Sequence, residues 1–121
     1  MKTVLLIEDT DEIRENITEI LEMHGFEMLC ACNGEEGIHL LRAHRPDIIV
    51  SDIKMPRING FQLLQIVRAE NETANIPFIF ISASAQKEDI EKGREAGAYA
   101  YLIKPFSAEE LISMIHTLVP A

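Results

Sequence analysis

Five residues able to do chemistry stand where short apolar runs of this chain end. Glu8 and Asp9 follow Val4-Leu5-Leu6-Ile7, Asp52 closes Ile48-Ile49-Val50-Ser51-Asp52, Ser82 closes the run from Ile76, and Lys104 follows Tyr101-Leu102-Ile103. Singly, each has a plain reading: a helix-start acidic pair, a loop-capping aspartate, a strand-end hydroxyl, a turn lysine beside Pro105. Jointly they describe a site. If the first and third runs are neighbours, three carboxylates meet, and unneutralised carboxylates about 4–6 Å apart repel until one takes a proton. A divalent cation removes that repulsion. Oxygen-only ligands with open positions suit Mg²⁺ or Mn²⁺, which keep waters and accept phosphate oxygens. Lys104 supplies a positive charge for Asp52 or for an incoming phosphoryl group, and Ser82 a small hydrogen-bond donor. A carboxylate nucleophile, a metal and an ammonium fit phosphoryl transfer onto an aspartate. Metal and amine would stabilise the charge on the transferring oxygens.

The positioning elements follow from periodicity. Residues 3–8 form a continuous apolar run, as in a strand covered on both faces. Thr10-Asp11-Glu12 opens a helix with Ile13, Ile17, Ile20 and Leu21 at helical spacing, ended by Gly25. Phe26–Ala31 reads as a strand, and Asn33 with Glu36 as a capping pair for a helix reaching Ala43, before Pro46. After Ile48–Asp52, Gly60 introduces a helix carrying Phe61, Leu63, Leu64 and Val67, and Ile76–Ser82 is the fourth strand. A weakly amphipathic helix spans 86–96, Gly97 stops it, and Tyr99–Ile103 is the fifth strand. Ser107 and Glu110 form a capping box for a last helix with Leu111, Ile115 and Leu118 on one stripe. Strands alternating with helices predict an α/β fold on a parallel sheet, with right-handed crossovers. In such sheets ligands bind beyond the carboxyl ends of the strands, where the chosen residues lie.

The composition narrows the function. The chain has 121 residues, 47% hydrophobic and 26% charged, which suits one domain, residues 1–121. A formal net charge of −9 argues against direct nucleic-acid binding, which needs clustered Lys and Arg. No run approaches the roughly 18–20 apolar residues of a membrane span, and the N-terminus lacks a signal-peptide pattern, so a cytoplasmic address and no membrane contact are expected. Cys30 and Cys32 lack a redox or zinc spacing and read as reduced structural thiols. The four histidines, His24, His39, His44 and His116, have no zinc-site spacing and read as surface residues.

Four segments carry a resemblance: Leu5-Leu6-Ile7-Glu8-Asp9; Pro46 through Pro56 with Asn59-Gly60; Ile81-Ser82-Ala83; and Gly97 through Phe106. In this order and spacing the chain resembles the receiver domain of two-component response regulators, over essentially its whole length. The resemblance implies a flavodoxin-like, doubly wound five-stranded sheet of order 2-1-3-4-5 with five helices. It implies that Asp52 accepts a phosphoryl group from a histidine kinase or phosphotransfer protein. Glu8, Asp9, Asp52 and the Lys54 main-chain carbonyl would hold Mg²⁺, with Mn²⁺ as a substitute. Ser82 matches the family's switch hydroxyl and Tyr101 its switch aromatic, which reshape the face of the fourth helix, fifth strand and fifth helix for a downstream partner or effector domain. A monomer or a phosphorylation-dependent dimer is implied. Such a domain is a signalling module rather than an enzyme, although it promotes its own phosphorylation and dephosphorylation.

Some positions depart from the common pattern. Glu8 stands where many relatives have aspartate, and keeps the charge. Lys54 and Ser84, two residues past Asp52 and Ser82, are placed to tune phosphoryl lifetime. Tyr99 stands where relatives often have a polar residue, and reads either as a partner anchor or as plain packing.

Two other functions use similar architecture. A haloacid-dehalogenase-like phosphatase needs a second acid two residues after the nucleophile, where this chain has Lys54, and a cap domain for which 121 residues leave no room. A nucleotide- or flavin-binding domain needs a Gly- or Ser/Thr-rich phosphate loop after the first strand. Glu8-Asp9-Thr10-Asp11-Glu12 is its electrostatic opposite. With no effector segment after the last helix, the chain reads as a stand-alone receiver or a piece of a longer regulator.

Overall fold

The computed structural model describes residues 2–83 and 86–119. Five strands alternate with five helices: β1 Thr3–Ile7, α1 Asp11–Met23, β2 Glu27–Ala31, α2 Gly34–His44, β3 Ile48–Asp52, α3 Gly60–Ala69, β4 Phe78–Ser82, α4 Lys87–Glu95, β5 Ala100–Ile103 and α5 Ala108–Leu118. All strand pairs are parallel, and the sheet order is β2-β1-β3-β4-β5. The chain steps outward from β1 to β2, then returns across β1 to β3. The order therefore reverses at β1/β3, where Ile7 sits beside Ser51. That puts Glu8 and Asp52 side by side at the carboxyl edge.

Strand alternation splits the core between the two faces. Val4, Leu6, Val50, Ile81 and Leu102 pack with Ile17, Leu21, Leu111 and Ile115 of α1 and α5. Leu5, Ile7, Ile49, Phe78 and Phe80 pack with Leu41, Leu63, Leu64 and Val67 of α2 and α3. Both faces are dry, so β1, β3 and β4 read as continuous apolar runs rather than alternating ones.

Helix ends follow their cap chemistry. Gly25 and Gly97 lie at φ +87° and +101°, a left-handed region that favours glycine. The bonds Phe26 N–H to Leu21 O and Ala98 N–H to Gly93 O close Schellman turns after α1 and α4. Ser107 and Glu110 form the expected capping box on α5. An unforeseen one, Asn59 with Gln62, starts α3.

At α2 the expectation holds by half. Asn33 accepts from the Glu36 N–H, but the Glu36 carboxylate reaches back to the Cys32 N–H instead of the cap residue's own. Strand β4 begins at Phe78 rather than Ile76, because the Ile76 N–H is bound to Thr73 O in the preceding turn. Strand β5 begins one residue later than Tyr99, although the Tyr99 N–H already bonds Phe78 O.

Candidate functional site

Each site residue is delivered by the end of a strand. Glu8 follows β1 with its N–H on Ala31 O at 3.1 Å, so the backbone pairing with β2 continues one residue past the assigned strand. Its side chain is fully buried, while Asp9 beside it is exposed. Asp52 ends β3, with its Oδ1 accepting from the Ile53 N–H at 2.7 Å. The first turn of α3 is pressed against that end. Gly60 donates to Ile53 O at 2.8 Å, and a Cβ built on Gly60 would lie 2.5 Å from Asp52 O. Only a residue without a side chain fits there.

Lys104 arrives from the opposite side of the edge. Its N–H bonds Ser82 O at 2.7 Å, and the Lys104–Pro105 peptide is cis. The ammonium donates to Glu8 Oε1 at 2.6 Å and to Asp52 Oδ2 at 3.2 Å. One cation thus bridges two acids that are 44 residues apart in the chain. The Glu8 carboxyl is nonetheless held above its ordinary range. Burial raises it most, the Lys104 bond lowers it, and the nearby Asp52 charge raises it again. For Lys104 burial disfavours the charge, but the Glu8 and Asp52 contacts together outweigh it, and its pKa is raised.

One oxygen each of Glu8, Asp9 and Asp52 lies within 4.8 Å of the others. A carboxylate offers about four lone-pair sites, so Glu8 can hold Lys104 and the Thr10 N–H (3.2 Å) and still present acceptor capacity. Three oxygen donors from acidic groups, without nitrogen or sulfur, suit a small hard cation with bonds of about 2.1 Å. The cluster can hold a metal.

Ser82 is buried at the end of β4 and lines a cavity of about 500 Å³ with Lys54, Asn59, Asp89 and Lys92. Lys54 is exposed at its mouth. Ser84 lies outside the described residues. Tyr101 is half-buried under α4, its ring centroid 6.3 Å from that of Phe80, which in turn meets Phe61 at 5.1 Å. Tyr99 is 53% exposed with Arg68 beneath it, the guanidinium carbon 5.6 Å from the ring centroid. That guanidinium also donates to the carbonyls of Ala74, Ile76 and Gly97. Sequence reasoning missed Arg68 because its partners are backbone carbonyls of two loops, which leave no spacing signal. It also missed Arg14, whose Nη1 donates to Glu8 O at 2.8 Å.

An open α/β sheet with acids and a lysine gathered at its switch point is the arrangement expected of a receiver-type domain. The sequence matches the response regulator receiver domain over residues 4–116, and the chain belongs to that family. It is 35% identical to protein PilH of Pseudomonas aeruginosa over 119 residues, covering 98% of both proteins. It is 40% identical to the "Probable transcriptional regulator ycf29" of Porphyra purpurea over 116 residues, spanning 96% of this chain but only 56% of that protein. Among solved structures, the chemotaxis protein CheY4 of Vibrio cholerae superposes with a TM-score of 0.93 at 28% identity, covering 98% of this chain and 99% of that one. A receiver domain of a Francisella response regulator gives 0.91 at 35% identity, covering 98% and 96%. Among the described residues, no helix is long and apolar enough to cross a membrane.

Proposed function

We propose that residues 1–121 act as a single phosphoacceptor domain in which Asp52 receives a phosphoryl group from the phosphohistidine of a sensor histidine kinase or phosphotransfer protein. In this reading an Asp52 carboxylate oxygen attacks phosphorus and the P–N bond to the donor imidazole breaks. The imidazole keeps the bonding pair and takes up a proton as required, leaving an aspartyl phosphate. Mg²⁺, or Mn²⁺ in its place, would be held by Glu8, Asp9, Asp52 and the Lys54 main-chain carbonyl, and supplies charge neutralisation for the phosphoryl oxygens. Lys104, tethered to Glu8, is within reach of the same oxygens and would exchange its Asp52 contact for one to the phosphoryl group.

The observation that carries this reading is the convergence of three carboxylates within 4.8 Å beside a shared ammonium, in a chain of the receiver family. An apolar groove between α1 and the β5–α5 turn, lined by Ile13, Ile17, Phe106 and Leu111, runs up to Lys104 and offers a surface for the donor to cover. Ser82 would donate to a phosphoryl oxygen, and Tyr101 would shift with it, altering the α4–β5–α5 face for a downstream protein or effector domain. Tyr99 stands on that face as an anchor. Lys54 and Ser84 would set how readily water reaches the aspartyl phosphate. A cytoplasmic setting, and either a monomer or a phosphorylation-dependent dimer, belong to the same reading.

The test uses acetyl phosphate with Mg²⁺ and intact-mass spectrometry. A gain of one phosphoryl is expected in the parent, none in Asp52→Asn, and none in the parent with EDTA. Labelling that survives EDTA would contradict the metal assignment, and labelling of Asp52→Asn would contradict the acceptor.

A further inference from the structure

The turn from β1 to α1 carries two of the three acids, and its backbone is held from the helix side by one residue. Arg14, one turn into α1, donates Nη1 to the carbonyl of Glu8 at 2.8 Å and Nη2 to Asp11 Oδ1 at 2.5 Å. Its side chain is only 18% exposed, although its acidic partner is 80% exposed. The Glu8 carbonyl belongs to the peptide that joins Glu8 to Asp9. Fixing the plane of that peptide places the Asp9 Cα and narrows the directions in which its side chain can leave the turn. Glu8 has other restraints: burial, the Ala31 pairing, Thr10 and Lys104. Asp9 is exposed and lacks the packing that places Glu8. Apart from its side-chain contact with Glu8, the restraint on Asp9 comes through the backbone.

We infer that Arg14 is a positioning residue for the metal site: by clamping the Glu8–Asp9 peptide it pre-organises Asp9 toward Glu8 and Asp52. The inference rests on the reading that these acids take Mg²⁺. It competes with two simpler roles, and they differ in sign. As a mere i,i+3 partner of Asp11, Arg14 would stabilise α1 slightly, and Asp11→Asn would mimic its loss. As a bare positive charge near three carboxylates, it would oppose cation binding, and its removal would tighten Mg²⁺. As a clamp, its removal loosens the site and weakens Mg²⁺. Partners that orient a metal ligand typically matter by about 10–100-fold in affinity.

Mg²⁺ affinity of the parent, Arg14→Met, Arg14→Lys and Asp11→Asn is measured by isothermal titration calorimetry, with urea unfolding in EDTA to establish that each is folded. The clamp predicts a rise in Kd of about tenfold for Arg14→Met. It predicts a smaller rise for Arg14→Lys, which keeps the charge but has no fork to hold two acceptors, and a Kd for Asp11→Asn within about twofold of the parent. Acetyl phosphate labelling of Arg14→Met should return to the parental rate once Mg²⁺ saturates. Should Arg14→Met fail to fold, Arg14→Lys decides alone against the parent. Unchanged or tighter Mg²⁺ binding in the folded variants, or a labelling deficit that persists at saturation, overturns the role of Arg14 while leaving the metal reading intact. A parent that binds no Mg²⁺ overturns both.

Discussion

Lys104 is the residue on which the metal-free site depends electrostatically. It holds together Glu8, which is fully buried, and Asp52, which is nearly so. Because its folded pKa lies above the ordinary 10.5, its contribution to stability is fully present below that value and is lost as pH rises through the folded one. Glu8 has the same sign in a more acidic window, its contribution being present below 4.5 and lost as pH rises through its folded pKa. Raised above 4.5, it favours the fold in its protonated form and costs stability once ionised. Lys104→Met therefore leaves two buried acids facing each other without a cation, and at about pH 7.5 in EDTA should destabilise the protein by about 3–5 kcal/mol. Saturating Mg²⁺ should supply the missing charge and bind Lys104→Met more tightly than the parent, where it must compete with the ammonium. The gap between the two in urea melts should then narrow by about 1.4 kcal/mol for each tenfold difference in Kd. An equal gap with and without Mg²⁺ would contradict the shared electrostatic site. At this scale the sequence carried the residue types and the Lys104–Asp52 pairing, but not the shorter bond from Lys104 to Glu8. Strand-end acids and the lysine were legible, whereas the preference of Lys104 for Glu8 over Asp52 depends on side-chain reach around a turn. Arg14 and Arg68 were illegible because an arginine bound to carbonyls leaves no mark on the pattern.

Elements position the site by how closely they approach one another, and two glycines show the difference. A methyl on Gly60 would meet backbone, 2.5 Å from Asp52 O and 2.9 Å from Ile53 Cα. A methyl on Gly37 would meet side chain rather than backbone, 2.7 Å from Cδ1 and 2.9 Å from Cγ1 of the buried Ile7, which must shift to admit it. Gly37→Ala recovers up to about 1 kcal/mol of helix propensity inside α2. Gly60→Ala should cost about 2–3 kcal/mol by overpacking, and should also weaken Mg²⁺ binding, because β3 or α3 must move next to Asp52. Gly37→Ala should lie within about 1 kcal/mol of the parent, with Mg²⁺ affinity unchanged. Urea melts and calorimetry on the pair check this, and equal effects from both would show that close approach at α3 does not place the acceptor. All ten elements were legible as types, since strands buried on both faces and helices with an apolar stripe give different periods. Their ends were less so. The start of β4 was displaced by the turn that binds the Ile76 N–H, and Glu36 chose Cys32 over Asn33, choices made by loop geometry.

The whole molecule is a sheet covered unequally. On one face α1 and α5 pack Ile17, Leu21, Leu111 and Ile115 into the sheet, and on the other α2 and α3 supply Leu41, Leu63, Leu64 and Val67. Helix α4 brings much less. Gly93 is its one fully buried residue, lying against Phe80 and Tyr101, Ile90 is half-buried, and Lys92 rests 4.5 Å from the Phe61 ring centroid. The helix that shares the proposed output face is therefore the one with the least apolar surface to hold it. Local opening follows buried contact, so amides of α4 should exchange with solvent through openings well below the global unfolding free energy, while those of α3 and β3 should approach it. If the aspartyl phosphate acts through Ser82 and Tyr101, phosphorylation should change exchange in α4 and β5 and leave α2 as it was. Peptide-level hydrogen exchange of the parent with Mg²⁺, with and without acetyl phosphate, reads this directly, and Asp52→Asn serves as the control. A protein whose α4 exchanges as slowly as α3, or whose exchange changes only at residues 52–60, would lack the loosely held element on which the proposed switch relies.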